Sequence, residues 1–363
     1  MRLDDHREIA KYDRSDMLGL VEAFPEQCRE AKAIGLRAQM PKPSRGGYEN
    51  VICAGMGGSA IGADIARSYI LARSKIPFSV VRNYSLPGFA GKGTLAILSS
   101  YSGDTEETLS AYKDAKAKKA DIIVITSGGR LRAMADSDGF SVVTIPGGLP
   151  PRCALGYSFF PLLMMLSHLG LTGPVERDID ETIKVLDYMR KKRTGSAVKS
   201  VTNKSKEIAA RLYNKFPVIY AGQDHMDCVA TRWRGQFEEN AKTISSTHIF
   251  PELCHNEIVG WETPSRVLKY FQPVILRDSG DNRRVAMRMD IVKKMLGKEG
   301  IAAIEVSSIG KSLLARIFSL IYTGDFASFY LAILNRRDPT PVDRIMYLKK
   351  ELAKERKKAK GKS

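Results

Sequence analysis

The stretch VICAGMGGSAIGAD, residues 51–64, decides how the rest of the chain is read. Its opening VICAG is an apolar run too short for a helix and free of polar side chains, the pattern of a strand buried on both faces. Glycines at 55, 57 and 58 follow, and then a periodicity that predicts a helix over 59–71. A buried strand passing through glycines into a helix start is the entry to a parallel α/β unit. Downstream, FSVVRN (78–83), TLAILSS (94–100), DIIVITS (121–127) and SVVTI (141–145) predict four more strands, with helices over 104–119 and 131–136 between them. An apolar helix over 153–169 and a charged connecting helix over 178–192 come next. The alternation then starts again: strands at FPVIYAG (216–222), QPVILRD (272–278) and AAIEVSS (302–308), and helices over 226–241 and 282–296. A long apolar helical pattern over 312–334 reads as interrupted at Gly324, and Pro339 and Pro341 introduce a last amphipathic helix. Upstream, residues 17–36 predict one or two leading helices, and Pro41, Pro43 and the 44–47 turn mark a boundary.

The expected fold is α/β, with two domains, each a parallel sheet flanked by helices in three α-β-α layers. The expected limits are a helical segment 1–45, a first domain 46–170, a connector 171–204, a second domain 205–345 and a C-terminal helix with a basic tail over 346–363. The shared rhythm hints at a duplicated fold, although no sequence repeat is evident.

With 363 residues, 44% of them hydrophobic and 27% charged, the composition is that of a folded globular protein rather than a disordered one. Five scattered cysteines (28, 53, 153, 228, 254) form no CxxC pair, which excludes a disulfide framework and a cysteine zinc site and points to the reducing cytosol. No signal segment and no run of 18 uninterrupted apolar residues is present, so the expectation is a cytoplasmic protein with no membrane partner. The net charge of +17 is partly local: residues 349–363 carry eight Lys or Arg against two Glu, and 189–206 is a second basic run. Neither is interleaved with aromatic residues, which argues against a nucleic-acid groove and for solvated helix ends.

Two loops carry ligand chemistry. After the first strand, Gly55, Gly57 and Ala60 fit a GxGxxG/A dinucleotide pattern, but the second strand ends in Arg82 and Asn83 where an acidic ribose partner belongs. A Walker A reading fails because no GK[ST] follows. After the third strand, SSYSGDTEET (99–108) gathers Ser100, Ser102 and Thr105 at a helix start, and Gly57, Gly58 and Ser59 sit likewise at the first helix. Each loop alone fits an N-cap and a tight turn. Together, at the carboxyl edge of one sheet, they make a cradle for a phosphate monoester.

A third stretch, FEENAKTISSTHIFPELCHNEIVGWE (237–262), holds Glu238, Glu239 and His255 with little periodicity. An acid and an imidazole are the commonest pairing for general acid–base work.

GMGGSAIG, SYSGDTEET, GGLPPRCALGY (147–157), ENAK and HNEIVGW together resemble the bifunctional phosphoglucose/phosphomannose isomerases, built from two sugar isomerase (SIS) domains. The resemblance runs from about 48 to 352. It implies phosphosugar substrates, with Gly57, Gly58, Ser59, Ser100, Ser102 and Thr105 at the phosphate. It also implies Arg152 beside the reacting carbons, Glu239 as the base in preference to its neighbour Glu238, and His255 as the ring-opening group. Near the C-terminus it implies a lysine and a threonine: Lys349, with Lys350 as the alternative, and Thr340. It implies no metal or cofactor, and a homodimer in which His255 serves the partner's site. The other readings are a non-catalytic SIS-domain regulator that binds sugar phosphates and an NAD-dependent dehydrogenase. A regulator would not need both Glu239 and His255.

Overall fold

The structure, a computed structural model, describes residues 3–40 and 47–360, with no side-chain description over 355–360. The boundary expected at 41–46 lies outside the described residues. Three leading helices come first: α1 (His6–Ala10), α2 (Met17–Glu22) and α3 (Phe24–Arg37). The first sheet unit runs β1 (Asn50–Ala54), α4 (Gly57–Ile70), β2 (Phe78–Val81), β3 (Thr94–Ser100), α5 (Glu106–Ala117), β4 (Asp121–Thr126), α6 (Gly129–Asp138) and β5 (Ser141–Thr144). Then follow α7 (Leu155–His168), α8 (Glu176–Met189) and α9 (Lys204–Leu212). The second unit runs β6 (Phe216–Gly222), α10 (Asp227–Glu239), β7 (Ser246–Phe250), α11 (Glu257–Gly260), α12 (Ser265–Leu268), β8 (Phe271–Arg277), α13 (Arg283–Lys298) and β9 (Ile304–Ser307). The chain closes with α14 (Leu313–Leu334) and α15 (Asp343–Lys360).

All strand pairings are parallel. The first sheet has the order β2-β1-β3-β4-β5 and the second β7-β6-β8-β9. Counted within its own unit, the second is again 2-1-3-4, so the duplicated rhythm of the sequence is a duplicated topology. In both, the strand order reverses between the unit's first and third strands, where an open α/β sheet leaves a crevice at its carboxyl edge.

The core explains the arrangement. Strand β3 is buried along its whole length, the polar Thr94, Ser99 and Ser100 included, around an apolar centre over 95–98. Helix α14 packs against α8, α9 and α10 and is buried from Leu314 to Ile333 apart from Arg316. It is long and apolar enough to cross a membrane, yet 94% of its most apolar window is buried inside the molecule. The expected interruption at Gly324 does not occur. A Cβ at Gly324 would lie 2.3 Å from Trp233 Nε1, and that indole donates to Leu320 O at 2.8 Å. Glycine is there to let an aromatic ring of α10 lie against the helix backbone, and the helix runs through it.

Several elements escaped the sequence reading, among them β7, α9 and the short helices α1, α11 and α12. The edge strand β7 lies inside the 237–262 stretch that reads as non-periodic, and α9 lies at the end of the basic run. Lys206 of that run is buried: its ammonium bonds Asp4 Oδ1 and the carbonyls of Ser196 and Val198, pinning the leading segment.

Candidate active site

Strand β1 delivers the chain to Met56, and Gly57 opens α4 with φ +50, a left-handed conformation that a side chain would strain. A Cβ on Gly58 would sit 2.7 Å from Pro151 O. The missing side chain therefore lets a second turn, the 3-10 helix Pro151–Cys153, close directly on the N-terminus of α4. Ser59 is buried at that contact.

Beside it, β3 ends at Ser100. Its hydroxyl donates to Thr105 Oγ1 at 2.9 Å and accepts from Gly103 N at 3.1 Å, and Ser102 Oγ accepts from Asp104 N. Thr105 is the residue from which α5 starts, so the loop presents hydroxyls next to the free amides of a helix start. A Cβ on Gly103 would fall 1.8 Å from Gly128 O, so the loops after β3 and β4 are locked together. The acidic neighbour Asp104 is not left facing the cradle alone, because Arg130 Nε pairs with it at 2.8 Å. Arg130 was not singled out in the sequence. Tyr101 ties this loop to the next: its hydroxyl accepts from Leu149 N at 2.9 Å, just before the Pro150-Pro151-Arg152 turn.

Arg152 is 5% exposed and held on nearly every edge. Its Nε donates to Asn240 Oδ1 at 2.7 Å, and Nη2 donates to the carbonyls of Pro339 at 2.7 Å and Thr340 at 2.9 Å. Nη1 faces Glu239 Oε2 at 3.5 Å. Behind it, Arg232 Nη2 donates to Arg152 O and forms a buried bidentate pair with Asp325, which Gln236 also bonds. Asn240 is steadied by Ser328 Oγ. Residues 232, 236, 239 and 240 lie on one face of α10 or at its end, so helical spacing alone brings the carboxylate and the guanidinium's supports to one place. Lys242 straps the final corner with bonds to the carbonyls of Glu239, Pro339 and Pro341. Although much of Lys242 meets solvent, desolvation of its ammonium, and then the charge of Arg152, hold its pKa below the ordinary lysine range.

Thr340 therefore lies at the arginine, as its carbonyl bond records. Its hydroxyl is buried and has no hydrogen-bond partner. A buried orphan hydroxyl is uncommon and asks for a partner the folded chain does not supply. Lys349, on the exposed face of α15, lines a cavity of about 560 Å³ together with Ser102, Thr105, Arg130 and Tyr84. Lys350 is not among its lining residues.

His255 stands apart. It ends the 3-10 turn Glu252–His255 beyond β7 and is exposed, and its imidazole makes no hydrogen bond or ion pair with any described residue. Arg152, Glu239 and Thr340 form one group and Ser102, Thr105 and Lys349 line one cavity; the Tyr101–Leu149 bond ties the loop of the second to the turn that carries Arg152. His255 joins neither group by a bond.

Residues 48–137 match the SIS domain family and residues 201–352 match the bacterial phospho-glucose isomerase C-terminal SIS domain, one match on each sheet. The chain is therefore built of two SIS-type domains. A bifunctional phosphoglucose/phosphomannose isomerase of Caldicellulosiruptor bescii is 48% identical over 337 residues, covering 93% of this chain and 99% of that one. A protein of the same name from Aquifex aeolicus is 36% identical over 308 residues, covering 85% and 91%. Among solved structures, a hypothetical protein from Thermus thermophilus superposes with a TM-score of 0.72 over 97% of this chain and 93% of that one, at 14% identity, a likeness of fold. The chain belongs to the bifunctional phosphoglucose/phosphomannose isomerase family.

Proposed function

We propose that the chain interconverts fructose 6-phosphate with glucose 6-phosphate and mannose 6-phosphate, without a metal, through a cis-enediolate. The observation that carries the reading is Glu239 Oε2 against Nη1 of an Arg152 whose other nitrogens are fixed elsewhere. The phosphate sits on Ser59, Ser100, Ser102 and Thr105 with the amides from Gly57 and Gly58, and Lys349 adds charge from above. Glu239 takes the C2 proton of the aldose. The C–H electron pair becomes the C1=C2 bond and O1 carries the charge beside the guanidinium, whose orientation needs no rearrangement during the step. Glu239 returns the proton to C1 and the O2 proton passes to O1, leaving the ketone at C2.

His255 opens the ring. It takes the anomeric hydroxyl proton and hands it on to the ring oxygen as the bond between the anomeric carbon and that ring oxygen breaks and the carbonyl forms, work suited to imidazole near neutral pH. Because His255 is exposed and unbonded, a second copy of the chain is proposed to receive it, in a homodimer. Thr340 donates its orphan hydroxyl to a sugar oxygen. Its small side chain leaves room to turn about C2–C3, so the one base serves both C2 epimers.

The test is a coupled assay with fructose 6-phosphate, glucose 6-phosphate and mannose 6-phosphate in EDTA, using the parent and Glu239→Gln. Activity that survives the chelator and is lost in the variant supports the reading. Tight fructose 6-phosphate binding with no turnover in the parent would instead mark a sugar-phosphate sensor.

A further inference from the structure

The turn that carries His255 is gripped from below. On the adjacent parallel strands β6 and β7, Tyr220 and His248 are register partners, so their side chains leave the same face of the sheet. Both reach one carboxylate: Tyr220 donates its hydroxyl to Glu257 Oε1, and His248 Nδ1 bonds Glu257 Oε2. Trp261 Nε1 donates to the same tyrosine oxygen at 2.8 Å. Burial, and then the Glu257 charge, push the Tyr220 hydroxyl far above its ordinary pKa, so it stays a donor.

Glu257 follows His255 by two residues. Two residues before His255, Leu253 is 1% exposed and packs with Phe250 and Trp261. Between these anchors, Asn256 closes the turn by accepting from Glu257 N at 2.6 Å and donating to Glu252 Oε1 at 3.1 Å. An exposed imidazole with no bond of its own is thus held by the backbone on either side of it. The half-buried His248–Glu257 pair is otherwise unused by the proposed chemistry.

We propose that Glu257 is a positioning residue for ring opening: clamped by Tyr220 and His248, it sets the direction in which His255 presents its imidazole. The proposal rests on the ring-opening role given to His255. It predicts a loss confined to substrates that have a ring to open. A misplacement of about an ångström can cost up to about a hundredfold in rate, so Glu257→Ala is expected to lower kcat with fructose 6-phosphate roughly tenfold to a hundredfold.

The experiment compares fructose 6-phosphate with 5-deoxyfructose 6-phosphate, which lacks the hydroxyl that closes the ring, following conversion of ketose to aldose by NMR. Glu257→Ala is expected to slow the first and leave the second unchanged. Glu257→Gln, which can still accept from Tyr220, is expected to recover most of the loss. Equal losses on both substrates, or none on either, overturn the positioning role. His255→Ala run beside it separates the two ideas. A split there but not in Glu257→Ala sinks the positioning role alone, whereas no split in His255→Ala sinks the ring-opening reading beneath it. If Glu257→Ala does not fold, Tyr220→Phe removes one arm of the clamp and must give the same split, and equal losses there overturn the proposal.

Discussion

The two sheets share a strand order, yet their switch-point crevices are opposites. In the first, β1 and β3 end in glycines and in Ser59, Ser100, Ser102 and Thr105, and Ser102 and Thr105 line an open cavity. In the second, the loop after β8 fills its own crevice with carboxylates. Asp278 accepts from Arg316 Nε at 2.8 Å, from Ser308 Oγ at 2.6 Å and from Gly280 N at 3.0 Å, while Asp281 Oδ2 accepts from Asp278 N at 2.9 Å. A Cβ on Gly222, at the end of β6, would lie 2.9 Å from Asp281 Oδ1, so the two loops are packed shut. Burial raises the Asp281 pKa. A dianion entering there would meet acids whose donors are already taken. Topology supplies a crevice twice, and the loop side chains leave the first open and pack the second shut. The second unit contributes differently, by sending α10 and the 339–341 segment to hold Arg152.

That contrast can be broken in several ways. Removing the proposed base acts on both units' joint product: Glu239→Gln is expected to lower kcat by about 10²–10⁴ with little change in KM, since general base catalysis is worth that much. In the sealed crevice, Asp278→Ala leaves the largely buried Arg316 without its partner. Breaking such a pair costs about 3–5 kcal/mol, seen as a lower denaturant midpoint, with kinetic constants unchanged. In the open crevice the opposite holds. Ser102→Ala is expected to raise KM about tenfold or more, the worth of about 1.5–3 kcal/mol for a hydrogen bond to a charged group, with the midpoint unmoved. If Asp278→Ala raised KM and Ser102→Ala did not, the two crevices would have been assigned the wrong way round. The smallest effect is expected at Gly324→Ala, which forces a methyl against Trp233 and is expected to destabilise by about 1–3 kcal/mol, read by thermal melting.

Strands with unbroken Val and Ile runs were legible because burial on both faces leaves no other composition. β7 was not, because STHIF is a half-buried edge strand with polar residues along it. The hydroxyl cradle, Arg152 and Glu239 were legible as motifs, each within one loop or helix. Their supports were not, since Arg130, Lys242 and the 339–341 carbonyls meet the site only through folding. One signal was available and unused. Asp325 is the lone carboxylate in a 22-residue apolar helix, and such an acid is rarely fully buried without a cation. Arg232 is that cation, and it also bonds the carbonyl of Arg152.

The most direct measurement is a crystal structure of the protein with bound fructose 6-phosphate. The account predicts one phosphosugar per chain, its phosphate on Ser59, Ser100, Ser102 and Thr105 and its C1 and C2 both within reach of Glu239. Phosphate density in the β6/β8 crevice, or C1 and C2 turned away from Glu239, would contradict it.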